Sequence, residues 1–276
     1  MLLKSGLTTD SEDTFPMTID LSGEVVVITG GALRVGREIA LACARAGAQV
    51  AISYHRSELA AQSTLDELRV IGSEADKCEI GASKRRFEAY RCEVSRADDV
   101  EQLAQSVARD FGAATVLINN AAIFRRTPFA TLTESDFDDH IAANLKGPYL
   151  LCKRFGDDFL KCERGHIINL ADIYGSRPLR NYLPYCLSKA GVVMLTQVLA
   201  LALAPNVRVN AIAPGTIMLP SEPQGEGDSE AQLLPRIPLQ RLGTAQEIAR
   251  TVVFLIGGPG FISGAIVPVD GAQRLR

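Results

Sequence analysis

Apolar and polar positions fall into blocks along the chain, and the blocks switch between two periods. Val25–Thr29 (VVVIT) is a short apolar run rich in β-branched residues, which predicts a buried strand. Arg34–Ala46 then repeats apolar positions at helical spacing, and Gly47 ends it. Gln49–Tyr54 is a second apolar run, followed by Ser57 as the expected N-cap of the next helix. A third strand ends near Cys92–Val94, Asp98–Phe111 reads as helix and Thr115–Ile118 as strand. One long amphipathic helix is expected over Phe137–Leu160. Strands follow at His166–Leu170, Val207–Ile212 and Ala265–Val269, with a helix at Tyr185–Leu203. Continuous apolar strands alternating with helices define an α/β chain whose parallel sheet is covered on both faces.

Two segments break this rhythm. Gly72–Arg86 is charged and reads as a lengthened loop between the second helix and the third strand. Pro220–Glu230, within a longer insertion near 216–235, is rich in proline, glycine and acid. It reads either as a substrate lid, because ligands bind beyond the carboxyl ends of parallel strands, or as a surface insertion. Residues 1–17 read as a flexible polar tail, which leaves 18–276 as a single domain.

Composition narrows the class. Thirty-two acidic against 29 basic side chains in 276 residues leave a net charge of −3, which argues against a cationic face for nucleic acid or an anionic membrane. No run of 18 apolar residues and no targeting segment is evident, so a cytoplasmic protein is expected. Six scattered cysteines without a C-x-x-C pair read as buried or surface thiols in a reducing compartment. The three histidines lack ligand spacing, and no metal site is expected.

The chemistry begins where the first strand runs into Thr29-Gly30-Gly31-Ala32-Leu33-Arg34-Val35-Gly36. Glycines at a strand–helix turn let the backbone approach a pyrophosphate held on helix N–H groups. The second strand ends in Tyr54-His55-Arg56-Ser57, without the carboxylate that would bond a ribose 2′-hydroxyl. A guanidinium and a hydroxyl suit a 2′-phosphate, and Arg34 adds a second cation, so NADPH is predicted over NADH. Tyr185 and Lys189 stand four apart on one helix face, where an ammonium would bring a phenol toward its working range.

The order T-G-x3-R-x-G, Asn119-Asn120-Ala121-Ala122, Asn144, Asp172, Tyr185-x3-Lys189 and Pro214-Gly215 resembles the short-chain dehydrogenase/reductase family, from about Ser22 to Gly271. The resemblance implies a Rossmann-type doubly wound sheet in one domain. It makes Tyr185 the general acid and Lys189 the group that bonds the nicotinamide ribose and lowers the tyrosine pKa. Asn144 then holds a water in the proton path, and Asn120, Ala121, Pro214 and Gly215 join Gly30, Arg34, Val35, Gly36, His55, Arg56 and Ser57 around the cofactor. Asp172 departs from the pattern, because most members carry serine there. A carboxylate only accepts hydrogen bonds, so it suits an N–H-bearing substrate better than a carbonyl.

Within the family, the Asp172, Tyr185, Lys189 set resembles the pteridine reductases, as do the R-x-G turn, His55-Arg56-Ser57 and Phe124. The stretch Pro178-Leu179, Tyr182, Tyr185 is also similar to theirs, whereas Ala122 and Ile217 replace serines common in that subgroup. This resemblance implies reduction of a pterin, or of dihydrofolate, stacked on Phe124, with Arg34 facing pterin and phosphate. Tyr182 then bonds Asp172 or substrate. The alternatives are a carbonyl reductase such as a 3-oxoacyl-carrier-protein reductase, or a non-catalytic NADPH-binding sensor. The last strand is similar to one that commonly helps build a homotetramer.

Overall fold

The computed structural model describes residues 19–76, 85–218 and 229–276. Seven strands form one parallel sheet: β1 (Val25–Ile28), β2 (Gln49–Tyr54), β3 (Phe87–Arg91), β4 (Val116–Asn119), β5 (Gly165–Leu170), β6 (Val207–Pro214) and β7 (Ile266–Val269). Their order is β3-β2-β1-β4-β5-β6-β7. The helices are α1 (Arg34–Arg45), α2 (Glu58–Asp76), α3 (Ala97–Phe111), α4 (Glu134–Ile141), α5 (Gly147–Lys161), α6 (Leu183–Ala202), α7 (Glu230–Leu233) and α8 (Ala245–Gly257).

Alternation along each strand sends side chains into two separate cores. Val26, Ile28, Val50, Ile52, Val116 and Ile118 join the core beneath α1, α2 and α8. Val27, Ala51, Leu117 and Ile167 join the opposite core with α3 and α5. Both faces are therefore apolar, and this is why the central strands read as unbroken hydrophobic runs. The edge strands β3 and β7 are only partly buried. Pro268, which has no N–H for a ladder bond, lies in the edge strand β7. Strand order reverses between β1 and β4, so their carboxyl ends open the crevice in which such sheets bind ligands.

Two expectations need correction. The helix expected over Phe137–Leu160 is two helices joined by a π turn at Ala142–Lys146, where Gly147 N–H returns to the Ala142 carbonyl. Pro148 has no N–H to offer the Asn144 carbonyl, and Gly147 packs so closely on Val94 that a Cβ would lie 2.8 Å from it. The loop expected from Gly72 starts later, because α2 continues to Asp76 and Gly72 packs against the Phe87 ring. The rest of that segment through residue 84, the tail 1–17 and 219–228 of the candidate lid lie outside the described residues.

Helix α6 is long and apolar enough to cross a membrane by length and composition, with a mean hydropathy of 1.5, although polar residues interrupt it and it holds no run of 18 apolar residues. It nevertheless packs on β6 and buries Tyr185, Ser188, Lys189 and Thr196 on its inner face. Its apolar outer face gives the high hydropathy.

Candidate active site

A cleft of about 880 Å³ opens at the carboxyl ends of β1, β2 and β3, beside β4. Gly30, Arg34, Val35, Gly36, His55, Arg56, Ser57, Asn120, Ala121 and Phe124 all line it, so ten of the sequence-derived positions converge on one surface. The turn after β1 is built by close approach. Gly30 has φ 63°, and a Cβ on Gly36 would lie 2.2 Å from the Gly30 carbonyl oxygen and 2.6 Å from Asn120 Nδ2. That amide donates to the carbonyls of Thr29 (2.9 Å) and Gly30 (3.1 Å). The Thr29 hydroxyl accepts the N–H groups of Asn120 and Ala121, tying β1 to β4.

Arg34 has φ 52°, a left-handed conformation costing about 1–2 kcal/mol for a residue with a Cβ. This accounts for glycine being common at that point of the turn, and here the guanidinium is carried on the cleft wall instead. Ser53, 1% exposed, also lines the cleft, and its hydroxyl has no hydrogen-bond partner among the described residues. A cradle closed to any Cβ and an unpartnered hydroxyl in its wall both fit a dinucleotide.

The second half of the site lies where β5 ends and α6 begins. Tyr185 donates its hydroxyl proton to Asp172 Oδ2 at 2.6 Å, while Asp172 Oδ1 accepts the Tyr174 N–H at 2.9 Å. Lys189 donates to the Leu170 carbonyl at 2.7 Å, with Nζ 5.8 Å from the Tyr185 ring centre. Asn144, inside the π turn, clasps the backbone of Ile123 through both amide atoms and donates to Ser188 Oγ at 3.1 Å. Ser188 in turn donates to the Tyr185 carbonyl at 2.7 Å. The loop bearing Phe124 is fastened by Thr127 N–H to the Asn181 carbonyl. Phe124 thus stacks on Tyr182 at 4.5 Å and meets the Tyr185 ring edge-on at 4.7 Å. Phe124 joins the two halves, being 38% exposed where it lines the cleft.

The electrostatics reverse one expectation. Burial and the neighbouring Asp172 carboxylate push Tyr185 well above the ordinary phenol range, and Lys189 does not bring it down in this structure. Burial also raises Asp172, opposed by the Tyr174 N–H, the Tyr185 hydroxyl and the Lys189 charge. Burial lowers Lys189 to about 8, opposed by Asp172. The aspartate therefore outweighs the lysine in its effect on the phenol, and the hydroxyl proton stays on Tyr185.

Asn144, Asp172, Tyr182, Tyr185 and Lys189 do not line the cleft itself, nor do Pro214 and Gly215; Gly215 packs under the C-terminal segment, its N–H bonded to the Val269 carbonyl. Two residues near the chemistry were not legible as site residues. Glu93, just after β3, places Oε2 2.7 Å from His55 Nδ1 on the cleft wall. His140 is fully buried beside Tyr185, with ring centres 6.5 Å apart, and its Nδ1 lies 2.7 Å from the Asp136 carbonyl. Each is a single polar residue in sequence, and only the pairing of α4 with α6, or β2 with β3, brings it to the site.

This fold and this tyrosine–lysine pair define a short-chain dehydrogenase/reductase. Residues 31–272 match the family model described as enoyl-(acyl carrier protein) reductase, and the chain belongs to the short-chain dehydrogenase/reductase family. It is 33% identical over 251 residues to the 3-oxoacyl-(acyl-carrier-protein) reductase FabG of Staphylococcus epidermidis, covering 90% of this chain and 98% of that one. It is 31% identical to the D-threitol dehydrogenase of Mycolicibacterium smegmatis, covering 93% and 95%. Among solved structures, a short-chain type dehydrogenase/reductase from Mycobacterium marinum superposes with a TM-score of 0.82 at 29% identity, covering 92% and 96%. The chain is thus an oxidoreductase of this family. None of these relatives is named for a pterin.

Proposed function

We propose that this oxidoreductase uses NADPH to reduce a carbon–nitrogen double bond in a pterin-like ring, with dihydrofolate as a further substrate. The observation that carries this reading is the 2.6 Å bond from the Tyr185 hydroxyl to Asp172. A ketone becoming an alkoxide needs donors around its oxygen, and serine would supply one. Asp172 instead accepts, and it already accepts the hydrogen bond of the Tyr185 hydroxyl. A ring edge carrying N–H and amino groups donates to Asp172 and receives a proton from Tyr185, directly or through water that Asp172 orients. NADPH supplies the hydride when bound. Gly30, Arg34, Val35 and Gly36 hold its pyrophosphate, His55, Arg56 and Ser57 its 2′-phosphate, and Lys189 its nicotinamide ribose. Phe124 offers the aromatic face on which a flat ring stacks.

The second reading, a 3-oxoacyl-carrier-protein reductase, is favoured by the names of the relatives over the first. NADPH oxidation followed with biopterin, dihydrobiopterin, folate and an acetoacetyl thioester separates the two. Pterin turnover is expected; turnover of the thioester alone overturns the first reading, and binding without any turnover makes the chain a sensor.

The enzyme is further proposed to be a cytoplasmic homotetramer. Leu187, Met194, Val198 and Leu201 are at least half exposed on α6 and recur along one face, and Phe254 and Phe261 are exposed near β7. Two such apolar faces support two kinds of self-contact. Light scattering is expected to give four times the chain mass of 29.7 kDa; a monomer mass overturns the assignment.

A further inference from the structure

The end of β2 carries the groups proposed to meet a 2′-phosphate, yet a carboxylate stands beside them. Strands β2 and β3 run in register to Tyr54 and Arg91, and the Cys92 N–H donates to the Tyr54 carbonyl. The next residue, Glu93, therefore emerges beside His55, and both line the cleft with Arg56 and Ser57. His55 Nδ1 lies 2.7 Å from Glu93 Oε2. The carboxylate is fixed from its other side, where Oε1 accepts the hydroxyl of Ser95 at 3.0 Å and its N–H at 3.3 Å. A carboxylate held this firmly cannot swing away when a phosphate arrives. It repels a dianion, and it would favour a cofactor with a bare ribose, which donates to carboxylates.

We infer that Glu93 is a specificity-determining residue of the cofactor cleft, whose preference for a phosphorylated over a plain ribose depends on His55 covering its carboxylate. This rests on the NADPH reading above. With the imidazole in place, the Glu93 oxygen facing His55 is covered by the ring, 2.7 Å from Nδ1. Without the imidazole, the same carboxylate faces the phosphate and turns the site toward NADH. His55 thus acts in two ways, as a ligand to the phosphate and as a screen. The screening part is separable, because it disappears when Glu93 loses its charge.

The test is binding without substrate. NADPH and NADH are titrated into the purified wild type, His55→Ala, Glu93→Gln and the double variant, following nicotinamide fluorescence. The wild type is expected to bind NADPH more tightly than NADH. His55→Ala is expected to lower the NADPH-to-NADH affinity ratio roughly tenfold, as a charge uncovered a few ångströms away in a partly exposed cleft would do. Adding Glu93→Gln to His55→Ala is expected to restore most of that ratio, and the restoration should shrink at high salt. Glu93→Gln alone is expected not to lower it.

Circular dichroism and the melting temperature serve as the folding control in every variant. A double variant with the same ratio as His55→Ala overturns the inference, as does an unchanged ratio in His55→Ala. A wild type that prefers NADH overturns the NADPH reading itself, a different pattern from either.

Discussion

Asp172→Ser is expected to reduce pterin turnover by about 10²–10⁴, the usual worth of a positioned acid–base group, while NADPH affinity stays within about threefold. The variant removes the acceptor that holds the Tyr185 proton at 2.6 Å and replaces it with a hydroxyl that donates. Turnover of an acetoacetyl thioester should move the opposite way and rise, because an alkoxide would gain a donor where a carboxylate had stood.

The pH profile is a second readout. Lys189 is lowered to about 8 by burial and held up in part by the Asp172 charge. Activity that needs its ammonium is present at lower pH and lost as pH rises through about 8. Without Asp172 that support disappears, so the alkaline limb of kcat/KM should move to lower pH. Pterin turnover unchanged in Asp172→Ser would remove the aspartate from the mechanism.

The reversal at Tyr185 marks the boundary of what the sequence discloses. That Tyr185 and Lys189 belong together is legible from their helix spacing, and that Asp172 joins them is legible only through the family resemblance. Their electrostatic balance is not legible, because it depends on how deeply they are buried and on which oxygen the phenol meets. The central strands are legible for a simple reason: β1, β2 and β4 are covered on both sides, so every position but Gln49, Ser53 and Asn119 is apolar. The break between α4 and α5 is not, since the stretch keeps a helical period throughout. Its cause is local only at Pro148, whose missing N–H the periodicity hides, and is otherwise tertiary, in the grip of Asn144 on Ile123 and the contact of Gly147 with Val94. Glu93 escapes notice for the same reason, its meaning coming from His55 on a neighbouring strand.

Gly36→Ala is expected to produce the second large effect, a loss of NADPH affinity of about 100-fold or more together with a destabilisation of about 1–3 kcal/mol from overpacking. The added methyl would sit 2.2 Å from the Gly30 carbonyl oxygen, 3.0 Å from its carbon and 2.6 Å from Asn120 Nδ2. Two of those three atoms are backbone, and the third is the amide that braces the turn through Thr29 and Gly30. No flexible side-chain end can yield, so α1 must move away from the turn, and the N–H groups proposed to hold the pyrophosphate move with it. The same substitution at Gly156 in α5 is the control. There a Cβ would meet only Leu203 at an ordinary 3.6 Å, and alanine is the better helix former by about 1 kcal/mol. Gly156→Ala should therefore melt at or above the wild-type temperature and bind NADPH normally. A Gly36→Ala protein that binds NADPH within about threefold of wild type would show that the turn after β1 has more room than its geometry allows.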